Sequence, residues 1–363
     1  MNTARIAIVG GGLSGLHAAL CLLRAGVQDF VLLEARTAPG GRISSAGGFD
    51  LGPTWYWPEF QPELHELIVD LGLRPFAQFE EGDLLVEQAQ QGVPMRVPGY
   101  ASAPAAMRLP GGMQSLVEAL QQRIPDRHLR GGHRVRRMRR VGEQVELDCE
   151  PTSWRVDHVM LALSPRLAEA TIGFTPALPP ALARSWRETP TWMAPHAKYV
   201  AVYDHAFWRE AGLSGGARSA RGPLGEIHDA SVPQGPAALF GFLGVPAQVR
   251  RRVPQQQLLQ HCKAQLTRLF GPRAAHPREE FFKDWSVDPF TSTAADEANA
   301  GHALRQPETG AIAGPWYGRL TGIASEWSAE FPGYLAGAVD ASRRGVDAWL
   351  SSCPSNKPSK ECP

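Results

Sequence analysis

The chain has 363 residues, 43% of them hydrophobic, and a formal net charge of +1 at pH 7. The length accommodates two domains or one large one. The nearly neutral charge gives no indication of a nucleic-acid partner, and no apolar run approaches the ~20 residues that span a bilayer, so we expect no membrane partner. Five scattered cysteines without metal-like spacing, and a first strand too close to Met1 for a signal peptide, predict a cytoplasmic protein without a metal site.

The N-terminal segment has the pattern of a dinucleotide-binding turn. Ile6 to Val9 is a short apolar run typical of a buried parallel strand. Gly10, Gly12 and Gly15 follow with G-x-G-x-x-G spacing, in which the glycines allow a tight turn, a backbone close to a diphosphate and a helix packed on the strand. The helix N-terminus, which includes Leu13 and Ser14, supplies N–H groups for the diphosphate.

A second strand, Phe30 to Leu33, ends on Glu34. A carboxylate at this position can accept hydrogen bonds from a ribose and repels the 2′-phosphate of NADP, which leaves NAD and FAD. Pro39-Gly40-Gly41-Arg42 then extends the pattern, and here, as near its C-terminus, the chain resembles the flavin-containing amine oxidases. The resemblance implies FAD, with Glu34 on the adenosine ribose, Arg36 and Arg42 beside the diphosphate, and Ala35 and Gly41 in the same segment.

Gly52-Pro53-Thr54-Trp55 resembles the family segment that runs past the flavin ring. Gly52 would let the backbone lie against the ring system. Trp55, Tyr56 and Trp57 are three aromatic residues in a row. They predict either a packed corner or one wall of an aromatic substrate pocket. Further along the chain, a hairpin contains Val135, which the resemblance places where backbone groups hold the adenine.

The strand from His196 to Tyr203 carries Lys198 on the same predicted face as Val200 and Val202. Lysine is scarce in this chain, and a lysine on an apolar strand face can act as a base or hold a water molecule. The family's active-site lysine lies on such a strand, shortly before a Phe-Trp pair that matches Phe207-Trp208. The alternative is an ordinary lysine of an edge strand.

Lys283 is the rival candidate, followed closely by Trp285, which matches a family tryptophan near the flavin. We interpret Lys283 as structural and Trp285 as cofactor-lining. Family members with covalent flavin have a cysteine shortly after this tryptophan; residues 286–293 contain none, so the resemblance implies non-covalent FAD. A tyrosine that often follows, forming one wall of an aromatic cage around the substrate, is also absent.

The C-terminal region resembles the family again. Glu326 matches a flavin-contacting carboxyl position, Tyr334 the retained cage tyrosine, and Leu335 the start of a final helix whose N–H groups face the flavin. Residues 351–363 are polar and proline-rich, which predicts a disordered tail.

Together these features predict an α/β fold: a doubly wound dinucleotide (FAD)-binding domain and a second, mixed-sheet α+β substrate domain. The expected FAD-binding domain comprises residues 1–54, 106–182 and 283–350, and the substrate domain residues 55–105 and 183–282. The implied reaction oxidises a small amine, with hydride transfer to flavin N5, imine hydrolysis and reoxidation by O₂ to H₂O₂. Lys198 would hold a water near N5, and Tyr334 would steer the amine.

Two other functions fit the same scaffold: a desaturase of the carotenoid or porphyrinogen type, and a flavin-binding protein without turnover. The amine is not identified by the sequence. Four polar residues could meet a second cationic group, although a surface position is the simpler interpretation of each: Glu59, Glu226, His228 and Asp229. The oligomeric state is open between monomer and homodimer.

Overall fold

The computed structural model describes residues 1–90, 92–297 and 305–352. They form two compact units. The first comprises residues 1–41, 117–191 and 305–352, and the second comprises residues 42–116 and 192–297.

The helices run from α1 to α9 in chain order: Leu13–Arg24, Pro62–Asp70, Gln114–Gln122, Pro165–Thr171, Pro180–Glu188, Phe207–Glu210, Ala247–Arg250, Gln255–Phe270 and Leu335–Ser352. The strands run from β1 to β19: Asn2–Val9, Phe30–Leu33, Ser45–Ala46, Phe49–Asp50, Phe76–Ala77, Asp83–Glu87, Met95–Val97, Met107–Arg108, Leu129–Arg130, Arg134–Val141, Gln144–Glu150, Trp154–Leu161, Gly173–Thr175, Ala197–Tyr203, Leu213–Ser219, Leu224–Asp229, Ala237–Leu243, Glu279–Asp284 and Leu320–Gly322.

The first unit is built on a sheet with the strand order β13-β10-β11-β12-β1-β2-β9, and β19 pairs with β12. β1 is parallel to both of its neighbours, β12 and β2. The second half of β1 and all of β2 are buried, as expected for parallel strands covered on both faces. Helix α1 follows β1 directly and packs against α9. The carboxyl ends of β1 and β2 therefore lie side by side, with the N-terminus of α1 beside them.

The second unit is built on a mixed sheet with the order β18-β14-β17-β16-β15-β6-β7. β15 and β6 are parallel, whereas the other pairs are antiparallel. One face packs on α8 through buried side chains that include Leu258, Cys262 and Leu266. The opposite face carries Val200 and Val202 in a separate apolar cluster. Because the sheet is covered on both faces, all seven residues of β14 are buried.

The units group some segments differently from the predicted domains. The prediction assigns residues 42–54, 106–116 and 283–297 to the FAD-binding domain, whereas they lie in the second unit. Hydrogen bonds hold these segments to one another: the indole of Trp285 donates to the Leu51 carbonyl at 2.8 Å, and the Met113 N–H donates to Asp50 Oδ1 at 2.7 Å.

Residues 183–191, predicted for the substrate domain, lie in the first unit. Their anchor is Trp186, which is fully buried in the core of that unit and donates from its indole to the Glu308 carbonyl at 2.7 Å. Burial of an apolar side chain of this size stabilises the unit that contains it. Residues 183–191 therefore belong to the first unit together with Trp186.

The predicted disordered tail begins too early. Helix α9 continues through Ser351 and Ser352. Their hydroxyls donate to the carbonyls of Asp347 and Trp349 at 2.8 and 2.7 Å. The Trp349 carbonyl is one of the last four of the helix, which have no intrahelical backbone partner. The remainder of that predicted tail, 353–363, lies outside the described residues.

Candidate active site

The junction of β1 and α1 requires glycine at one position in the turn and at one near the start of the helix, in both cases because of contacts within the protein itself. Gly10 has a φ of +108°, and a Cβ on it would lie 2.8 Å from the Ala162 carbonyl oxygen. A Cβ on Gly15 would lie 1.9 Å from the Gly10 oxygen. Gly12 differs, because its nearest neighbour would be the Gly41 Cα at 3.7 Å. Gly12 thus leaves accessible backbone at the N-cap of α1, where a helix binds anions most readily.

Glu34 connects the end of β2 to this glycine turn. The side chain is buried, and its Oε2 accepts a hydrogen bond from the Gly11 N–H at 2.7 Å, while Oε1 accepts one from the Arg36 N–H at 2.8 Å. An ionised carboxylate offers about four lone-pair sites. Two of them organise the turn, and the others can accept from a ligand hydroxyl.

The segment before β10 reaches the same place. The N–H groups of Gly132 and His133 donate to the carbonyls of Arg36 and Glu34, both at 2.7 Å. These bonds bring the start of β10, with the buried Val135, to the carboxyl end of β2. The predicted adenine and ribose contacts are thus brought together by backbone hydrogen bonds.

The predicted C-terminal residues lie between β19 and α9. Glu326 is buried in a short 3₁₀ turn, and its Oε2 accepts from the Ser325 hydroxyl at 3.1 Å. Tyr334 is half-buried just before α9, and its carbonyl accepts from the Ala338 N–H at 3.2 Å. Leu335 is the first residue of α9. All three positions belong to the first unit.

Lys198 occupies a buried position in the second unit. Its side chain is 2% exposed, and its Nζ donates to the Thr54 hydroxyl and to the Gly52 carbonyl, the latter at 3.3 Å. The Nζ also lies 4.0 Å from the ring centroid of Phe240 and 5.4 Å from that of Phe242. Burial lowers the pKa of Lys198 to about 7. A lysine in this range exists in both protonation states at neutral pH.

Lys283, the rival candidate, is the direct cross-strand neighbour of Lys198 in the pairing of β14 with β18. Its Nζ donates to Asp288 Oδ2 at 2.7 Å and lies 4.6 Å from the ring centroid of Trp285. About a third of the side chain is exposed. The two lysines therefore differ in burial and in partners, although they occupy adjoining positions in the sheet.

The segment from Gly52 to Trp55 is fixed within the second unit. A Cβ on Gly52 would lie 2.1 Å from the Arg42 carbonyl oxygen, so glycine is required here by the fold alone. Thr54 is buried and accepts a hydrogen bond from Lys198. Pro53, which lies between Gly52 and Thr54 in the chain, is half-buried. Trp285 is also buried. Packing within the second unit therefore accounts for the residue type at Gly52 and for the burial of Thr54 and Trp285, whether or not a cofactor is bound.

Of the three consecutive aromatic residues, Trp55 belongs to the face that carries Lys198. Its ring centroid lies 5.3 Å from that of Phe240 and 4.8 Å from that of His228, and its indole donates to Gln78 Oε1 at 2.8 Å. Tyr56, by contrast, is fully buried and its hydroxyl lies 3.1 Å from His65 Nδ1 of α2. Tyr56 therefore packs a corner, whereas Trp55 packs against rings of the face that carries Lys198. That Trp55 forms a wall of a substrate pocket stays a prediction.

Sequence reasoning did not single out four residues around Lys198. They are the two rings of β17 and two buried charged side chains: Phe240, Phe242, Asp50 and Arg108. The alternation of the two phenylalanines in β17 was a usable signal for the rings. The sequence gave no such signal for Asp50 and Arg108, because the burial of each depends on strands that are far apart in the chain.

The four candidates for a second cationic group have other roles in the structure. Asp229 is buried and accepts from Arg209 at 2.8 and 2.9 Å and from the Trp208 indole at 2.8 Å. The carboxylate of Glu226 lies 2.7 Å from His228 Nε2 and forms an ion pair with Arg218, and Glu59 is exposed.

Within residues 1–90, 92–297 and 305–352, no helix is long and apolar enough to cross a membrane. The same residues contain no group of three or more His, Cys, Asp or Glu side chains that could hold a metal ion.

Comparison with known proteins identifies the family. The sequence profile described as flavin-containing amine oxidoreductase matches residues 13–101 and 94–349. The chain belongs to this family. A flavin is accordingly the cofactor that the family implies.

Curated relatives of this chain include flavin-containing amine oxidases. A probable flavin-containing monoamine oxidase A of Dictyostelium discoideum is 26% identical over 250 residues, which cover 65% of this chain and 52% of the relative. The chain spans about half the length of this relative. A flavin-containing amine oxidase of Oncorhynchus mykiss is 23% identical over 272 residues, which cover 71% of this chain and 49% of the relative.

Solved structures share the fold. A putrescine oxidase solved with putrescine bound superposes with a TM-score of 0.81 at 20% identity, and a cyclohexylamine oxidase from Brevibacterium oxydans with 0.79 at 21%. Both matches cover 96% of this chain and 99% of the other chain. This likeness confirms the predicted class, an α/β dinucleotide-binding domain with a mixed-sheet second domain.

The first unit fits the adenosine diphosphate part of a flavin dinucleotide. The accessible backbone at Gly12 lies at a helix N-terminus, which suits a diphosphate. Glu34 retains acceptor capacity for a ribose at the adjoining strand end. In a family member, these two observations favour binding of the group that the family implies.

Proposed function

We propose that this protein is an FAD-dependent amine oxidase that acts on a small monoamine with an apolar substituent. The observation that carries the proposal is Lys198, a buried amino group held beside an aromatic wall in a flavin-family chain. FAD held at Gly12 and Glu34 would supply a hydride acceptor, N5, for the carbon next to the amine nitrogen. Hydrolysis of the imine and reoxidation by O₂ to H₂O₂ would complete the reaction.

The protein's own contribution centres on the head of Lys198. Gly52 and Thr54 accept from its Nζ and so fix its direction. A pKa of about 7 lets this group either hold a proton or take one up near neutral pH. We assign to Lys198 the positioning of a water molecule near N5, and to Tyr334 the orientation of the amine.

The aromatic wall favours an apolar substituent on the amine. Trp55, Phe240 and Phe242 place three rings on the face that carries Lys198, and apolar pocket walls bind apolar groups through burial. The second ammonium group of a diamine would need a carboxylate that is not already paired with a protein cation. Glu226, the nearest cross-strand carboxylate to Phe242, is already paired with His228 and Arg218. A diamine is therefore the poorer substrate.

A panel of amines tests this proposal on the purified flavoprotein. We expect H₂O₂ release under air with 2-phenylethylamine at a higher kcat/KM than with putrescine, because only the first fills the aromatic wall. Parallel anaerobic mixtures with a polyene and a porphyrinogen give the alternatives. Flavin bleaching by these donors alone would identify a desaturase, and no bleaching by any donor would identify a flavin-binding protein without turnover.

We also propose that FAD is bound non-covalently. The 3₁₀ turn Trp285–Val287 and the residues after it, through 293, contain no cysteine that could form a thioether to the flavin. Precipitation of the holoprotein with acid should therefore leave the yellow colour in the supernatant and an unmodified polypeptide mass in the pellet. A coloured pellet, with a flavin-sized mass increment on one peptide, would contradict this expectation.

A cytoplasmic location and the use of O₂ belong to the same proposal. The three described cysteines, Cys21, Cys149 and Cys262, are free thiols, which agrees with a reducing compartment.

A further inference from the structure

We propose that Phe240 is a positioning residue for Lys198, because the face of its ring holds the lysine head as an ammonium ion. The ring would serve as the third acceptor of that head, beside the Gly52 carbonyl and the Thr54 hydroxyl. The importance of this contact for catalysis rests on the proposed function, whereas the contact itself is a property of the folded chain.

The Lys198 side chain reaches past its direct cross-strand neighbour. In the pairing of β14 with β17, Lys198 lies opposite Phe242, and Val200 lies opposite Phe240. Phe240 is therefore diagonal to the lysine, at a separation that long side chains can span. The Lys198 Nζ lies 4.0 Å from the ring centroid of the diagonal residue and 5.4 Å from that of the direct neighbour. The head is thus directed to one of two available rings.

The lysine head lies over a face of the Phe240 ring. An approach in the ring plane at 4.0 Å from the centroid would bring Nζ into the C–H groups of the ring itself. The face of an aromatic ring is the negative end of its quadrupole and attracts a cation within about 6 Å of the centroid. A neutral amine gains less from this position, because the attraction depends on positive charge. The geometry therefore favours the ammonium form.

The hydrogen bonds of the lysine head leave one donor for the ring. An ammonium group has three N–H donors. Two have oxygen acceptors, the Gly52 carbonyl at 3.3 Å and the Thr54 hydroxyl. In the part of the chain that the structure describes, no other oxygen accepts from Lys198 Nζ and no carboxylate forms an ion pair with it. Because the side chain is 2% exposed, an aromatic face is the group left to stabilise the third N–H, and Phe240 is the nearer of the two rings.

The Phe240 ring is itself held in place by other rings. It is 1% exposed. The His228 ring is stacked on it with the centroids 5.3 Å apart, and the rings of Trp55 and Phe242 pack against it at 5.3 and 5.5 Å. A ring packed on several sides keeps its orientation, so its face can fix the position of the lysine head.

Four charged groups on neighbouring strands also face this region. Burial lowers the pKa of Lys198 to about 7, the charge of Asp50 in β4 raises that pKa, and the charge of Arg108 in β8 lowers it. Lys283 lies opposite on β18, and Glu226 of β16 is already paired with other side chains. Among the described residues, none of these four groups bonds to the lysine head, whereas the ring is in direct contact with it.

Fluorinated phenylalanine tests the contact with little change in packing. Fluorine withdraws electrons from the ring face, so trifluorophenylalanine at position 240 keeps the ring but loses most of its attraction for a cation. The chain has five lysines, so protein labelled with ¹³C at lysine Cε gives at most five resonances, and the resonance lost in Lys198→Met is that of Lys198. Titrated as the resting flavoprotein, this signal should have a midpoint near 7 in the wild type. The fluorinated ring should lower the midpoint by about one unit, because a desolvated cation–π contact is worth roughly that much.

The matched control is the same replacement at Phe281 of β18. Phe281 lies opposite Val200 and so belongs to the same face of the sheet. The described contacts of the Lys198 head do not include its ring, and the midpoint should therefore stay in place. An unchanged midpoint with the fluorinated ring at position 240, or an equal shift from position 281, overturns the proposal.

The pH profile of flavin reoxidation tests whether the contact serves the oxidation site. The flavin is reduced photochemically, so that no amine is needed, and then mixed with O₂. With trifluorophenylalanine at position 240, the pH at which the rate changes should fall together with the Lys198 midpoint. A shifted midpoint with an unchanged profile would overturn the positioning role of Phe240. Absence of amine oxidation by the wild type would refute the proposed function but would leave the midpoints unaffected.

Discussion

Lys198→Met should be a folded, yellow protein whose reduced flavin reacts slowly with O₂. Methionine fills a buried strand position with a flexible apolar side chain. It removes the head that donates to Gly52 and Thr54, and with it the proposed hold on the water near N5. A preorganised polar group in a dry site is worth roughly 10²–10³ in rate. Stopped-flow mixing of the anaerobically reduced protein with O₂ should show a slowing of that order.

Lys283→Met is the matched control, because Lys283 lies directly opposite Lys198 on the adjoining strand. Its head binds Asp288 and is partly exposed, and pairs of this kind contribute little energy. Reoxidation in this variant should stay close to the wild-type rate. If Lys283→Met were the slower of the two, the assignment of the active-site lysine would be reversed.

Gly15→Ala should lose both stability and flavin. The new Cβ would lie 1.9 Å from the Gly10 carbonyl oxygen and 3.3 Å from the Ala162 side chain. Helix α1 must then move away from the β1 turn, and overpacking of this kind costs about 1–3 kcal/mol, occasionally more. Denaturant unfolding of the apoprotein should show the loss of stability, and the ratio of flavin to protein after purification should fall with it.

Gly12→Ala separates the two effects. At this position φ is −75°, and the added Cβ makes only ordinary contacts, the nearest at 3.7 Å. The apoprotein should unfold at the wild-type denaturant concentration, yet bind flavin more weakly because the methyl group occupies the accessible backbone surface. Equal flavin affinity in Gly12→Ala and the wild type would show that the diphosphate does not approach this turn.

The sequence by itself determined the features that depend on neighbouring residues. Phe30–Leu33 forms a strand with the predicted bounds. Gly10, in the turn after β1, and Gly15, near the start of α1, occupy positions that exclude a side chain. Lys198 lies in a buried strand within one residue of its predicted start. Turn chemistry, strand alternation and helix starts are local, so a few adjacent residues suffice to predict them.

Only the tertiary structure decided which distant residues meet. The pairing of β14 with β18 brings Lys283 opposite Lys198, 85 positions away in the chain. Asp50 and Arg108 are buried in strands that are distant in sequence from Lys198, and their charges shift its pKa in opposite directions. A pattern of period two specifies which face a residue occupies but not its cross-strand neighbour, because register and strand order arise from packing of the whole sheet. The charge of Lys198 depends on those neighbours, and it is therefore a property of the folded chain.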